Sequence, residues 1–168
     1  MKKIISNKDN IKEKEITELV KRVKLLIINS NKEILLGYAH NTYQFPGGHV
    51  EDNETLIDAL NREIYEEVGV RLDLDIKPIA CAINYYKDYP DIGKNRKNEI
   101  YYYLINKDIE PNMDNTSYTD SEKEGNFILK YIPINNLEKE LKDNISRYGD
   151  EYGIGNEMLK LLSSCNII

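Results

Sequence analysis

Gly48-His-Val-Glu-Asp-Asn-Glu54-Thr-Leu-Ile-Asp-Ala-Leu-Asn-Arg62-Glu63-Ile64-Tyr-Glu66-Glu67-Val-Gly69-Val70 joins a glycine loop, a capped helix and a dense carboxylate cluster in one stretch. Leu56, Ile57, Leu60, Ile64 and Val68 recur at helical spacing and form one apolar stripe. Asn53 is the expected N-cap, Glu54 supplies negative charge to the first turn, and Gly69 suits a left-handed position after the last turn. Glu63, Glu66 and Glu67 stand at i, i+3 and i+4, where side chains are neighbours and like charges destabilise a helix. At about 100° per residue the acids lie beside the stripe, so one flank packs on a core while the acids line the edge of a cleft. Stability alone does not place them there. A hard divalent cation bound through oxygen would remove the repulsion. The competing reading is a solvated acidic face, against which stand the glycine loop and Arg62, the only cation among the acids, four residues before Glu66.

The same residues resemble the signature of the Nudix (MutT-like) hydrolases: Gly, five residues, Glu, seven residues, Arg-Glu, an aliphatic, any residue, Glu-Glu, any residue, Gly, an aliphatic. Gly48, Glu54, Arg62, Glu63, Ile64, Glu66, Glu67, Gly69 and Val70 match its fixed positions, and Phe45-Pro46-Gly47-Gly48 resembles the approach to the family's loop. The resemblance implies an α/β/α sandwich around a mixed sheet. It also implies Mg²⁺, with Mn²⁺ as the alternative, held by Glu63 and Glu67, with Glu66 close by and a backbone carbonyl from Gly47. A Gly-Gly turn lets the backbone approach an ion closely. Arg62 would orient a box glutamate. An acid in the loop before a late strand, Glu124 or alternatively Glu122, would be a ligand or general base, unless that loop is merely solvated. The implied reaction is hydrolysis of the pyrophosphate linkage of a nucleoside diphosphate derivative or nucleoside triphosphate. Water is the nucleophile, and Glu66, Glu67, Arg62 and Glu124 are the catalytic candidates. Two alternatives stay open: a metabolite-sensing domain that keeps the fold without turnover, and hydrolysis of the 5′ end of RNA.

Composition fits one domain over residues 1–168, with 1–18 as an N-terminal arm or edge strand. The chain has 168 residues and 19.6 kDa, 40% hydrophobic and 31% charged. A net charge of −6 gives no basic footprint for duplex nucleic acid, and a small nucleotide-type molecule is the expected partner. An acidic chain that handles acidic phosphates needs metal ions or local cations. No run approaches the ~20 apolar residues of a membrane span, and no signal-peptide core is visible. Cys81 and Cys165 lack metal-site spacing and read as reduced thiols of a cytoplasmic protein. His40 and His49 read as loop residues, which leaves a His-assisted nucleophile poorly supported.

The segment from Tyr85 to Lys97 gathers cations and tyrosines. Lys94, Arg96, Lys97 and Tyr86 are its substrate-binding candidates, against the plainer reading of a polar loop between strands. Expected strands are Val23 to Asn29, Glu33 to Tyr38, Leu72 to Asn84, Glu99 to Ile105 and Asn126 to Ile132. Expected helices beyond the first are Asn135 to Asp143 and Tyr152 to Cys165. Interspersed strands and helices argue for a mixed sheet with helices on both faces, and a tyrosine-rich edge strand could support a homodimer.

Overall fold

The computed structural model describes residues 1–168. Seven strands form a mixed sheet: β1 (Lys2–Ser6), β2 (Glu18–Ile28), β3 (Glu33–Ala39), β4 (Thr42–Gln44), β5 (Ala80–Tyr86), β6 (Arg96–Asn106) and β7 (Ile128–Pro133). Their order is β1-β5-β6-β2-β3-β4, with β7 paired to the other edge of β3. β1 runs parallel to β5 and β2 parallel to β6, while β5–β6, β3–β4 and β3–β7 are antiparallel. The N-terminal residues thus supply an edge strand. The sheet is covered on one face by α1 (Leu56–Val68) and on the other by α3 (Ile134–Tyr148) and α4 (Ile154–Ser164); a short α2 (Asp120–Glu124) precedes β7.

Period-2 alternation along β2 builds both cores. Val23, Leu25 and Ile27 point to the α1 side and pack with Leu60, Ile64, Val68 and Tyr103. Leu26 and Ile28 point the other way, against Leu137, Leu141, Met158, Leu161 and Leu162 of α3 and α4. β2 begins at Glu18 rather than Val23, because its parallel ladder with β6 runs from Glu18↔Arg96 to Ile28↔Asn106.

Three expectations change. Residues 72–79 form no strand; only Ala80–Tyr86 pairs. The alternation of Leu72, Leu74 and Ile76 comes from packing on the α1 core, with Leu74 pinned by both ends of the Asn61 amide at 2.7 and 2.9 Å. The N-cap is Thr55, whose Oγ1 accepts from Asp58 N at 3.2 Å; Asn53 lies in a left-handed turn at φ 65°. Glu54 therefore precedes the helix instead of sitting in its first turn. Residues 119–125, expected as a loop, contain α2, whose Thr119 and Glu122 form a capping box.

Candidate active site

Glu54, Glu63 and Glu66 are gathered by one guanidinium. Arg62 Nε and Nη2 donate to the two oxygens of Glu54 at 2.9 and 3.0 Å, Nη1 to Glu63 Oε1 at 2.9 Å and Glu66 Oε2 at 3.1 Å, and Nη2 to the His49 carbonyl at 2.9 Å. These five bonds use the whole donor fork of an arginine. The pair with Glu54 pulls that carboxyl below its ordinary range, and Glu54 foremost raises the Arg62 pKa. Burial pushes the Glu63 carboxyl upward, with Arg62 opposing.

Glu67 is the deepest of the acids, 4% exposed and the single buried charged residue of the chain. It accepts from Gly47 N at 2.8 Å. Burial raises its pKa, and the nearby Lys24 ammonium opposes that rise. Lys24 Nζ itself donates to the Gly47 carbonyl and lies 3.5 Å from Gln44 Oε1. Lys24 was missed in the sequence; its signal was a lysine inside the apolar run Val23 to Ile28, on the same face as Leu26 and Ile28.

The two loop glycines are dictated by this crowding. Gly47 has φ 124°, and a Cβ there would lie 2.3 Å from the Val23 carbonyl oxygen. A Cβ on Gly48 would lie 2.4 Å from Glu63 Oε2. The loop runs along the free edge of β2, bonded through Leu25 N to Pro46 O, Val23 N to Gly48 O and Val50 N to Lys21 O. Strand, loop and helix thereby bring Lys24, Gly47 and Glu67 to one point.

The remaining candidates are spread more widely. Glu124 is exposed at the end of α2, whereas Glu122 is half-buried and close enough to act electrostatically on Glu67 and Lys24. Lys94 pairs with Asp91 at 3.0 Å in the exposed hairpin. Lys97 projects from the α1 side of β6 to Glu13 and Glu99 at 3.0 and 3.2 Å. Arg96 and Tyr86 lie on the opposite face, level with one another, and Arg96 is bound to Glu18 at 2.7 Å. The structure therefore splits the expected cation cluster between two faces. Burial, then Arg22 and Lys24, lowers the His49 pKa.

The acids do not converge as a set of three on a cation position: Glu63 and Glu66 are drawn to Arg62, and Glu67 accepts from Gly47 N. The donor types nonetheless suit Mg²⁺: carboxylates and a backbone carbonyl, all hard oxygens. The deep burial of Glu67 beside Glu63 also calls for more positive charge than one lysine provides.

Comparison with known proteins decides the family. The NUDIX domain profile matches residues 19–149. This chain belongs to the Nudix family. An RNA pyrophosphohydrolase of Francisella philomiragia is 31% identical over 130 residues, 68% of this chain and 81% of the relative. Shorter matches join the Nudix chain to an RNA pyrophosphohydrolase of Tolumonas auensis (39% identical, 39% of this chain and 38% of the relative) and an 8-oxo-dGTP diphosphatase of Buchnera aphidicola (34% identical, 42% and 50%). These two matches span half or less of the relatives' length. A solved Nudix-family hydrolase from Clostridium perfringens aligns over 84% of this chain and 97% of its own at 20% identity and TM-score 0.49.

Proposed function

We propose that this protein is a Mg²⁺-dependent hydrolase of the pyrophosphate linkage in a nucleoside diphosphate derivative or nucleoside triphosphate. The observation that carries the reading is Glu67. A buried carboxylate beside two further acids is costly unless cations offset it, and the match of these acids to the complete box supports a role in neutralising a diphosphate's charge.

Glu63, Glu67 and the Gly47 carbonyl would hold the ion, with Glu66 close by, and the ion would supply Lewis-acid chemistry at the phosphate oxygens. Arg62 fixes Glu63 and Glu66 in single rotamers. Glu66 has the most exposed side chain of the three acids, at 37%, and only its Oε2 is engaged by Arg62. Its Oε1 takes the proton from the attacking water. We take Glu122 rather than Glu124 as the downstream acid, because it is half-buried and within electrostatic reach of Glu67 and Lys24, whereas Glu124 is exposed. Lys24 holds the Gly47 carbonyl and offsets the charge of Glu67 from nearby.

No helix is long and apolar enough to cross a membrane. A cytoplasmic location and free thiols at Cys81 and Cys165 fit that reading. The relatives named RNA pyrophosphohydrolase favour a second substrate, the 5′-triphosphate end of RNA. One screen tests both readings: phosphate and pyrophosphate release from nucleoside diphosphate derivatives, nucleoside triphosphates, 8-oxo-dGTP and 5′-triphosphorylated RNA, with and without Mg²⁺. Mg²⁺-dependent release from one class is expected. Silence across the panel would leave a sensing domain.

A further inference from the structure

Two buried polar atoms lack any hydrogen-bond partner: Arg22 Nε and Asn98 Oδ1. Their hydrogen-bonding senses are opposite, one donor and one acceptor. Each costs free energy while unpaired, and native interiors leave few such atoms. They also share a place. Across the β2–β6 ladder Arg22 pairs with Ile100 and Asn98 with Val20, so the two side chains are diagonal neighbours on one face of the sheet. That face also carries Lys24, two residues or about 6–7 Å along β2 from Arg22, and so leads directly to Glu67 and Gly47.

In the opposite direction the face becomes aromatic. Asn98 pairs with Asn84, and Arg96 with Tyr86, across β5–β6. The Tyr86 and Tyr89 ring centroids are 5.6 Å apart, and the Arg96 guanidinium sits 4.7 Å from the Tyr89 centroid. Glu157 of α4 roofs the strip, accepting from Asn84 Nδ2 at 2.5 Å and from the Tyr102 hydroxyl. Arg22 lies within electrostatic reach of Tyr86, Tyr89, Arg96 and Glu157. Beyond Asn84, Tyr86 and Glu157 a cavity of about 620 Å³ opens between β5 and α4.

We propose that this strip seats the nucleoside part of the substrate, with Arg22 donating to the phosphate nearest the sugar and the Asn98 amide pairing with a base edge beside Tyr86. The proposal rests on the nucleotide-hydrolase reading above and gives it a direction: phosphates at the box, base at the tyrosines. A carboxamide presents an acceptor and a donor side by side, the complement of a nucleobase edge that carries a donor next to an acceptor. A tyrosine face accepts any base by stacking, so selectivity falls to Asn98. Lys94 and Lys97, engaged elsewhere, take no part.

The test is calorimetric binding of the full chain to non-hydrolysable imido analogues of ATP and GTP, with inorganic tripolyphosphate as a base-free probe. Asn98→Leu keeps the size and removes the amide. It should weaken the preferred nucleotide about 10-fold or more and leave tripolyphosphate unchanged. It should also raise the Tm of the ligand-free protein by roughly 2–4 °C, because an unpaired buried acceptor is gone. Should Asn98→Leu fail to fold, Asn98→Ser gives the same binding comparison. Arg22→Gln should weaken both probes.

Equal losses on nucleotide and tripolyphosphate in the Asn98 variant, or wild-type affinity for both, would overturn the assignment, as would a wild-type protein that binds neither nucleotide analogue. If the wild-type protein binds nucleotide yet hydrolyses none, the hydrolase reading fails and the nucleoside site stands. If it hydrolyses nucleotide and Asn98→Leu leaves KM and kcat untouched, the site fails and the hydrolase reading stands.

Discussion

Replacing Gly48 by Ala isolates the pose of Glu63 from the stability of the fold. Gly48 is not among the positive-φ residues, so alanine brings no backbone strain. The atoms a new Cβ would meet are Glu63 Oε2 at 2.4 Å and Glu63 Cδ and Oε1 at 2.6 Å, the far end of a flexible side chain. Relief to ordinary contact requires the carboxylate to retreat by about 1 Å, which breaks its 2.9 Å bond to Arg62. A misplacement of that size costs on the order of 100-fold in rate when it falls on catalytic machinery. Gly48→Ala should therefore lose about 100-fold in Mg²⁺-dependent kcat while its Tm stays within a few degrees of wild type. Gly47→Ala is the contrast. Its φ of 124° and the Val23 carbonyl at 2.3 Å make the clash one of backbone with backbone, so Tm itself should fall. Turnover and thermal melts are read on the same preparations, and Gly48→Ala is repeated in a Glu63→Gln background, where it should add little. A folded Gly48→Ala enzyme at wild-type rate would refute the reasoning, as would a full additional loss in the Glu63→Gln background.

Four further outcomes follow from the same geometry. Glu67→Gln should reduce turnover at least ~100-fold at saturating Mg²⁺; near-normal turnover would remove Glu67 from the metal site. Metal-free Glu67→Gln should melt above wild type, by a margin that grows with pH. The folded carboxyl titrates above its ordinary 4.5, so Glu67's contribution to stability is greatest at low pH and is lost as pH rises through the raised value; a margin constant from pH 5 to 9 in EDTA would contradict this. Arg62→Lys should lower turnover more than metal affinity, because lysine cannot keep five bonds to Glu54, Glu63, Glu66 and His49, and unchanged kinetics would reduce Arg62 to a surface cation. Glu122→Gln should cost about 10-fold or more in turnover and Glu124→Gln little; the reverse ranking would restore Glu124.

Local signals in the sequence carried much of the fold. α1 was legible because its apolar stripe and Gly69 cap act within the helix itself, and β3 and β6 because alternation or β-branched and aromatic density marks a strand without knowledge of its partner. Failures came where a signal had two causes. Leu72, Leu74 and Ile76 alternate as a strand would, yet they dock on α1 with an asparagine amide standing in for a neighbouring strand. Asn53 and Thr55 both qualify as caps; Thr55 takes the role, with Asn53 in a left-handed turn before it. The capping box at Thr119 and Glu122 could have been read, since it needs only the three-residue spacing.

The cations of the site were hidden for a different reason. In an acidic chain, lysines and arginines clustered in a loop draw the eye, and the cluster near Lys94 to Lys97 did so. Strand alternation then dealt Arg96 and Lys97 to opposite faces, and Glu13, Glu18, Glu99 and Asp91 claimed the charges. Besides Arg62 of α1, the cation within electrostatic reach of the box acids is Lys24 of β2, which alternates with Val23 and Leu25 and shares its face with Arg22. A lysine or arginine on the inward face of a central strand is costly to bury, so such a residue needs a partner of opposite charge. Lys24 has Glu67. Arg22 has no carboxylate bonded to it, and its buried Nε has no hydrogen-bond partner. A buried guanidinium without a carboxylate partner, two residues from Lys24 on a face that ends in tyrosines, fits the phosphate-binding role proposed for Arg22.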